Sequence, residues 1–188
     1  VQTVLTDESW RVYTSQILYS ELYDGELIDL TAEEKLLGNA IEGNDRLPQL
    51  IEQVGEFVRE QETLLPSRLI TTPAGETVID FGQNLGGYVE LTIKGRRGAR
   101  VVLSHAETLD KDGNFYTENL RTAKAQMSYV LSGGVDVLKP VFDFQGFRYV
   151  RLDEYPFDEV DLSAFKVRAV YSDMKRTGYF LCGNDKIN

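Results

Sequence analysis

The chain has 188 residues, with 20 Lys and Arg against 30 Asp and Glu, a net charge of −10, 42% hydrophobic residues and one Cys. That length suits one domain, or one domain with part of another, and the apolar content is that of a globular chain rather than a disordered tail. No run of 18 apolar residues is present, so no membrane partner is expected, and the acidic balance argues against nucleic acid, whose phosphates it would repel.

Val1 is neither an initiator Met nor followed by a charged or apolar leader, so the chain is expected to begin inside a longer protein. Trp10–Thr14 and Gln16–Tyr23 are rich in β-branched and aromatic residues and predict strands, with Asp24-Gly25 as a turn. Thr31 and Glu34 have the spacing of a capping box, which predicts a short helix through Lys35-Leu36-Leu37-Gly38, ended by Gly43-Asn44-Asp45. From Leu47 onward short strands follow one another: Gln49–Glu52, Phe57–Glu60, Arg68–Ile70, and Thr77–Phe81 stopping at Gly82. In Tyr88–Lys94 the alternation puts Val89, Leu91 and Ile93 on one inward face and Glu90, Thr92 and Lys94 on the other. Gly95–Gly98 turns the chain into Ala99–Leu103, and Met127–Leu131, Gly146–Leu152 and Phe165–Tyr171 complete the set. Strands at this spacing, without helices between them, predict an all-β fold, an antiparallel β-sandwich. A parallel α/β fold would need crossover helices for which the intervals are too short.

The inventory of chemical groups is thin. One thiol, Cys182, excludes an intrachain disulfide framework and a Cys-based zinc cage. It fits a reducing compartment, which makes a cytoplasmic location the expectation. One histidine, His105, excludes a His-rich metal site, and neither a G-x-S-x-G elbow, a Walker loop nor a dinucleotide fingerprint occurs. Asp110-Lys-Asp-Gly-Asn114 has the acids of a calcium loop, but Gly113 and Arg121 fall where an EF-hand would not place them. A tight turn is the plainer meaning.

On a strand, His105 and Glu107 would share a face, roughly 7 Å apart, which is a start for acid–base chemistry. A hydrogen-bonded pair at a domain surface is the competing reading. Arg96, Arg97 and Arg100 read as solvated hairpin charges. Phe142, Phe144, Phe147 and Tyr149 form either a sugar-stacking platform or, at sandwich spacing, core.

Several strings taken in order go beyond composition. Thr72-Pro-Ala-Gly-Glu-Thr-Val-Ile-Asp-Phe-Gly-Gln-Asn84, Gly87-Tyr-Val-Glu-Leu91 and His105-Ala-Glu-Thr-Leu109 are followed by Asp112-Gly113 and Asn119-Leu-Arg121. Tyr129-Val-Leu-Ser-Gly133, Phe144-Gln-Gly-Phe-Arg-Tyr-Val150 and Phe180-Leu-Cys-Gly-Asn184 continue the order. Together they resemble the bacterial α-L-rhamnosidases of glycoside hydrolase family 78. The resemblance implies a jelly-roll or concanavalin-like sandwich that accompanies an (α/α)₆ catalytic barrel. It also implies that the catalytic acids lie in that barrel, so no catalytic residue and no metal ligand is assigned to a position here.

By the same resemblance, residues 1–62 are the tail of an amino-terminal jelly-roll with a connecting segment. Residues 63–176 are the accessory sandwich, and 177–188 lead into the barrel. The family usually has His where Gln145 stands and often Ser where Gly183 stands. Asp24 and Glu26 lie in a segment resembling a module that binds rhamnose with calcium in some relatives. An exposed acidic turn is the competing meaning. The expected partners are the barrel of the same parent chain and rhamnose-containing carbohydrate. A stand-alone carbohydrate-binding module is the alternative.

Overall fold

The computed structural model describes residues 3–43 and 48–188. Twelve strands are present among them: β1 (Arg11–Tyr13), β2 (Ile17–Glu21), β3 (Gly25–Asp29), β4 (Leu36–Asn39), β5 (Val58–Leu64) and β6 (Arg68–Thr71) come first. They are followed by β7 (Thr77–Lys94), β8 (Arg100–Ala106), β9 (Gln126–Val130), β10 (Val135–Leu138), β11 (Gln145–Glu154) and β12 (Phe165–Ser172). The only helical turns among the described residues are two 3-10 segments, Glu118–Leu120 and Leu162–Ala164. No helix there is long and apolar enough to cross a membrane.

Ten strands form one continuous sheet, in the order β2-β3-β9-β8-β11-β7-β12-β5, with β6 and β10 also paired to β7. All these pairs are antiparallel except β3 with β9, which run parallel. The central element is β7. Its first residues lie between β6 and β11, whereas Leu91 lies between Leu138 of β10 and Phe165 of β12. Between those halves the register with β11 jumps, from Tyr149 opposite Asp80 to Phe147 opposite Leu85. A strand that changes partners through a bulge is how one sheet turns a corner and folds over itself.

The bulge is built by Asp80-Phe-Gly82. Gly82 has φ +86°, a conformation other residues avoid, and its N–H donates to Asp80 Oδ1 at 2.8 Å. Asp80 is almost fully buried, and its charge is met by Arg148 Nε at 2.8 Å and Arg68 Nη2 at 3.1 Å. The expected end of a strand at Gly82 is therefore a bulge inside one longer strand.

The fold of the sheet encloses a large apolar core, with a smaller second cluster of Val78, Ala106, Phe115 and Tyr149. Val89, Leu91 and Ile93 of β7 face inward as the alternation predicts, and meet Val101 and Leu103 of β8, Phe147 and Val150 of β11, and Phe165 and Val167 of β12. On the outer face Thr92 and Lys94 are exposed, while Glu90 is held by Lys166 at 2.7 Å and Arg168 at 3.0 Å.

Two other local expectations give way to tertiary structure. The helix expected from Thr31 to Gly38 is absent. Thr31 N–H and Oγ1 both donate to Asp29 Oδ1, closing a turn, and Leu36–Asn39 becomes β4, paired with β1. Asn44 and Asp45 lie outside the described residues, as does Leu47. Gln49–Glu52 forms no strand, and Leu50 and Ile51 stand 91% and 83% exposed with no strand beside them. β10 is a strand the sequence reading did not include: Val135 and Val137 face outward while Asp136 is buried, accepting from Ser132 N–H at 3.0 Å and Ser132 Oγ at 2.5 Å.

The boundary expected at residues 62 and 63 falls inside β5. β2 and β3 extend the same sheet through β9, and Ile28 of β3 is part of the common core.

Candidate functional site

Residues 107–125 between β8 and β9 form the longest interval without a strand between consecutive members of the large sheet. Loops of that length inside compact domains commonly carry function. Its first part is a turn: Leu109 bridges Phe115, and Asp110 Oδ1 accepts from the N–H groups of Asp112 and Asn114 at 2.9 and 2.8 Å. Asp110 is thus occupied as a turn residue, held below the usual carboxylate range by those bonds.

The second part packs against the β2–β3 hairpin. Ala125 N–H donates to Tyr23 O and Gln126 N–H to Asp24 O, both at 3.0 Å. Lys124 Nζ meets Asp24 Oδ2 at 2.7 Å. The contact leaves no room for a side chain at Gly25, where a Cβ would sit 1.9 Å from Gln126 O and φ is +108°. Between hairpin and loop lies an open cleft of about 540 Å³, lined by Tyr19, Glu21, Tyr23, Asp24, Arg121 and Thr122 among others.

The expected pair of His105 and Glu107 is not formed. β8 ends at Ala106, so the alternation stops before Glu107. His105 is buried edge-on against Phe147, with ring centroids 4.7 Å apart, and its Nδ1 lies 2.8 Å from Ala125 O. Burial drives the imidazole down to about 4, against the opposing pull of the Ala125 carbonyl and Asp153. A neutral core histidine is what remains. Glu107 is exposed and accepts from Asn84 Nδ2 at 3.1 Å and Asn119 Nδ2 at 3.3 Å. Three of the strings used in the sequence comparison therefore converge on one polar cluster.

Asp24 and Glu26 also part company. Asp24 accepts from Lys124 and from Tyr19 Oη at 3.3 Å at the rim of the cleft. Glu26 is buried and accepts from Val141 N–H at 2.8 Å, Phe142 N–H at 2.6 Å and Ser20 Oγ at 3.0 Å. Among the described residues no three or more His, Cys, Asp and Glu side chains are gathered as a metal ion would require.

The aromatic stretch divides in two. Phe147 and Tyr149 are core, whereas Phe142 and Phe144 are 73% and 48% exposed. Their backbone is nonetheless held firmly, because Glu26 binds Phe142 N–H and Asp143 binds Phe144 N–H at 2.7 Å. Gln145 Nε2 adds bonds to Asp143 Oδ2 at 2.9 Å and to Leu22 O at 3.3 Å. Burial raises the Asp143 carboxyl to about 6; the Gln145 and Phe144 bonds oppose that shift, and Glu26 and Glu21 add to it. Sequence reasoning did not single out Asp143, Tyr19 or Arg121 as site residues. The length of the interval between β8 and β9 was the one available signal.

A sheet curled over its main apolar core, with its connecting loops built by buried carboxylates, defines a concanavalin-like β-sandwich domain. Residues 70–171 match the bacterial alpha-L-rhamnosidase concanavalin-like domain, and the chain belongs to that family. An alpha-L-rhamnosidase of Streptomyces avermitilis is 36% identical over 168 residues, covering 82% of this chain and 16% of the relative. One from Alteromonas sp. is 29% identical, covering 98% of this chain and 22% of the relative. The chain thus spans less than a quarter of the length of these curated relatives.

The crystal structure of the Aspergillus terreus alpha-L-rhamnosidase superposes with a TM-score of 0.88 at 36% identity, over 98% of this chain and 23% of that one. The Streptomyces avermitilis enzyme, solved in complex with L-rhamnose, gives 0.79 at 32% identity, over 89% and 17%.

Proposed function

We propose that this chain is the non-catalytic β-sandwich domain of an α-L-rhamnosidase, and that it packs against and steadies the (α/α)₆ barrel that removes terminal α-L-rhamnose from glycans or glycosides. The observation that carries this reading is the patch of Val141, Phe142 and Phe144. These side chains are 59%, 73% and 48% exposed, while buried Glu26 and Asp143 fix the backbone beneath them. A slack loop does not need two buried carboxylates to hold it; a preformed apolar contact surface does. Tyr179, Phe180 and Leu181 add further exposed apolar area in the segment after β12. Two further acids are tied to structural partners as well: buried Asp80 to Arg148 and Arg68, and half-buried Glu76 to Arg151 Nη1 at 2.8 Å and Phe115 N–H at 2.9 Å.

The test compares this chain with a version extended through the barrel. The 188-residue chain should release no rhamnose from an aryl α-L-rhamnoside, and Phe142→Asp with Phe144→Asp should lower the activity and melting temperature of the extended protein only. Release by the short chain that is lost in Glu107→Gln would overturn the non-catalytic reading. Unchanged activity and melting of the double variant in the extended protein would overturn the docking surface.

A further inference from the structure

Most glycines inside the strands are required by the chain itself. Gly25, Gly38 and Gly82 have positive φ, and a Cβ at Gly87 would sit 2.2 Å from Arg168 O. Gly86 and Gly146 have neither reason. They pair with each other across β7 and β11, both are exposed, and neither has a positive φ. The nearest atom to an added Cβ is Val170 O at 3.7 Å for Gly86 and Glu107 Oε1 at 3.8 Å for Gly146, both ordinary contacts. Glycine weakens a strand interior, and it marks places where another backbone comes close. Nothing within the described residues makes that approach.

Two features border this bare floor. Exposure alternates from Phe144 to Phe147, so Phe144 shares the outer face with Gly146 while Gln145 and Phe147 are buried. Beside Gly146 stands exposed Glu107, whose two oxygens accept from Asn84 Nδ2 and Asn119 Nδ2. Both donors are neutral amides, and Glu107 joins no ion pair among the described residues. Neutral donors fix the carboxylate in place and leave its charge uncompensated, an arrangement preorganised for a cation arriving from outside.

We infer that the glycine floor, Phe144 and Glu107 form one contact, occupied by a main-chain segment of the catalytic barrel that carries an Arg or Lys opposite Glu107. This contact rests on the docking reading above and gives its chemistry. It is continuous with the patch of Val141, Phe142 and Phe144, and this chain spans only 16% and 22% of two curated relatives, which leaves ample chain to supply the segment. Charge selects against other occupants. A second copy would bring its own Glu107 and a net charge of −10, and a polyanion would be repelled by both.

The experiment melts the 188-residue chain and the version extended through the barrel, each with Gly86→Ala and Gly146→Ala together and with Glu107→Gln alone. In the short chain the double variant should melt at the same temperature or higher, because both sites accept a Cβ. In the extended protein it should melt about 2 °C or more lower, because the same Cβ atoms overpack the contact. Glu107→Gln should leave the short chain unchanged, lower the melting temperature of the extended protein and reduce its dependence on NaCl, as loss of an ion pair requires. A double variant that lowers both proteins alike, or neither, would overturn the close backbone approach. An extended Glu107→Gln protein that melts like its parent would overturn the cationic partner. A dimer of the short chain that the double variant dissociates would assign the face to a second copy and overturn the barrel as occupant. If Phe142→Asp with Phe144→Asp weakens the extended protein and the glycine variant does not, the docking reading stands and this contact falls; if neither has an effect, both fall.

Discussion

Truncating Leu91 tests the core where the two halves of the sheet face each other. Leu91 is completely buried, and its neighbours across the strands, Phe165 and Leu138, are 0% and 2% exposed. With paired strands on both edges of β7, the backbone around Leu91 has little freedom to collapse into a vacated volume. Leu91→Ala therefore belongs in the upper part of the range for buried leucines, about 3–5 kcal/mol. Thr92, the next residue on the same strand, is exposed. Its replacement by Ala should cost under about 1 kcal/mol, chiefly through β-propensity. In a domain of this size the two figures correspond to falls in melting temperature of roughly 6–20 °C and of at most about 4 °C. Urea unfolding followed by circular dichroism would measure both, with an unchanged m-value confirming that the folded and unfolded states are comparable. Equal losses for Leu91→Ala and Thr92→Ala would refute the inward assignment of β7.

Two buried groups push stability in opposite directions over the same pH window. The unfolded chain protonates His105 near its ordinary value while the folded chain holds it down to about 4, so stability falls as pH drops between about 6.5 and 4, by up to about 3 kcal/mol. His105→Gln should remove that slope in urea titrations run across the window. Asp143 is raised from 3.8 to about 6, so its contribution is present below pH 3.8 and lost as pH rises through 6. Asp143→Asn should accordingly stabilise the chain at pH 7 relative to pH 4, and a variant equally affected at both values would contradict the buried placement. Gly25→Ala forces a Cβ onto Gln126 O at a φ of +108°. Hydrogen exchange should show loss of protection at residues 124–126, and an unchanged exchange pattern would contradict the tight docking of hairpin and loop.

Much of the fold was legible in the sequence because alternation is a local property. Val89, Leu91 and Ile93 announce an inward face by spacing alone, and tertiary structure has no better use for them. The all-β class followed from the same signal, repeated at short intervals.

What only the tertiary structure decided is where strands find partners and where polar groups find charges. Thr31 and Glu34 satisfy a helix-start pattern, yet the chain makes β4, because β1 offers Leu36–Asn39 a ladder while Asp29 captures Thr31. Gly82 looks like a strand end, and the Asp80 carboxylate with its two arginines converts it into a bulge. Glu26 and Glu107 look alike in sequence. One is buried beneath the exposed phenylalanines by backbone amides more than a hundred residues away, and the other is exposed between Asn84 and Asn119. Burial of a charge is tolerated only where distant donors converge on it, and that convergence is a property of the fold rather than of any stretch of sequence.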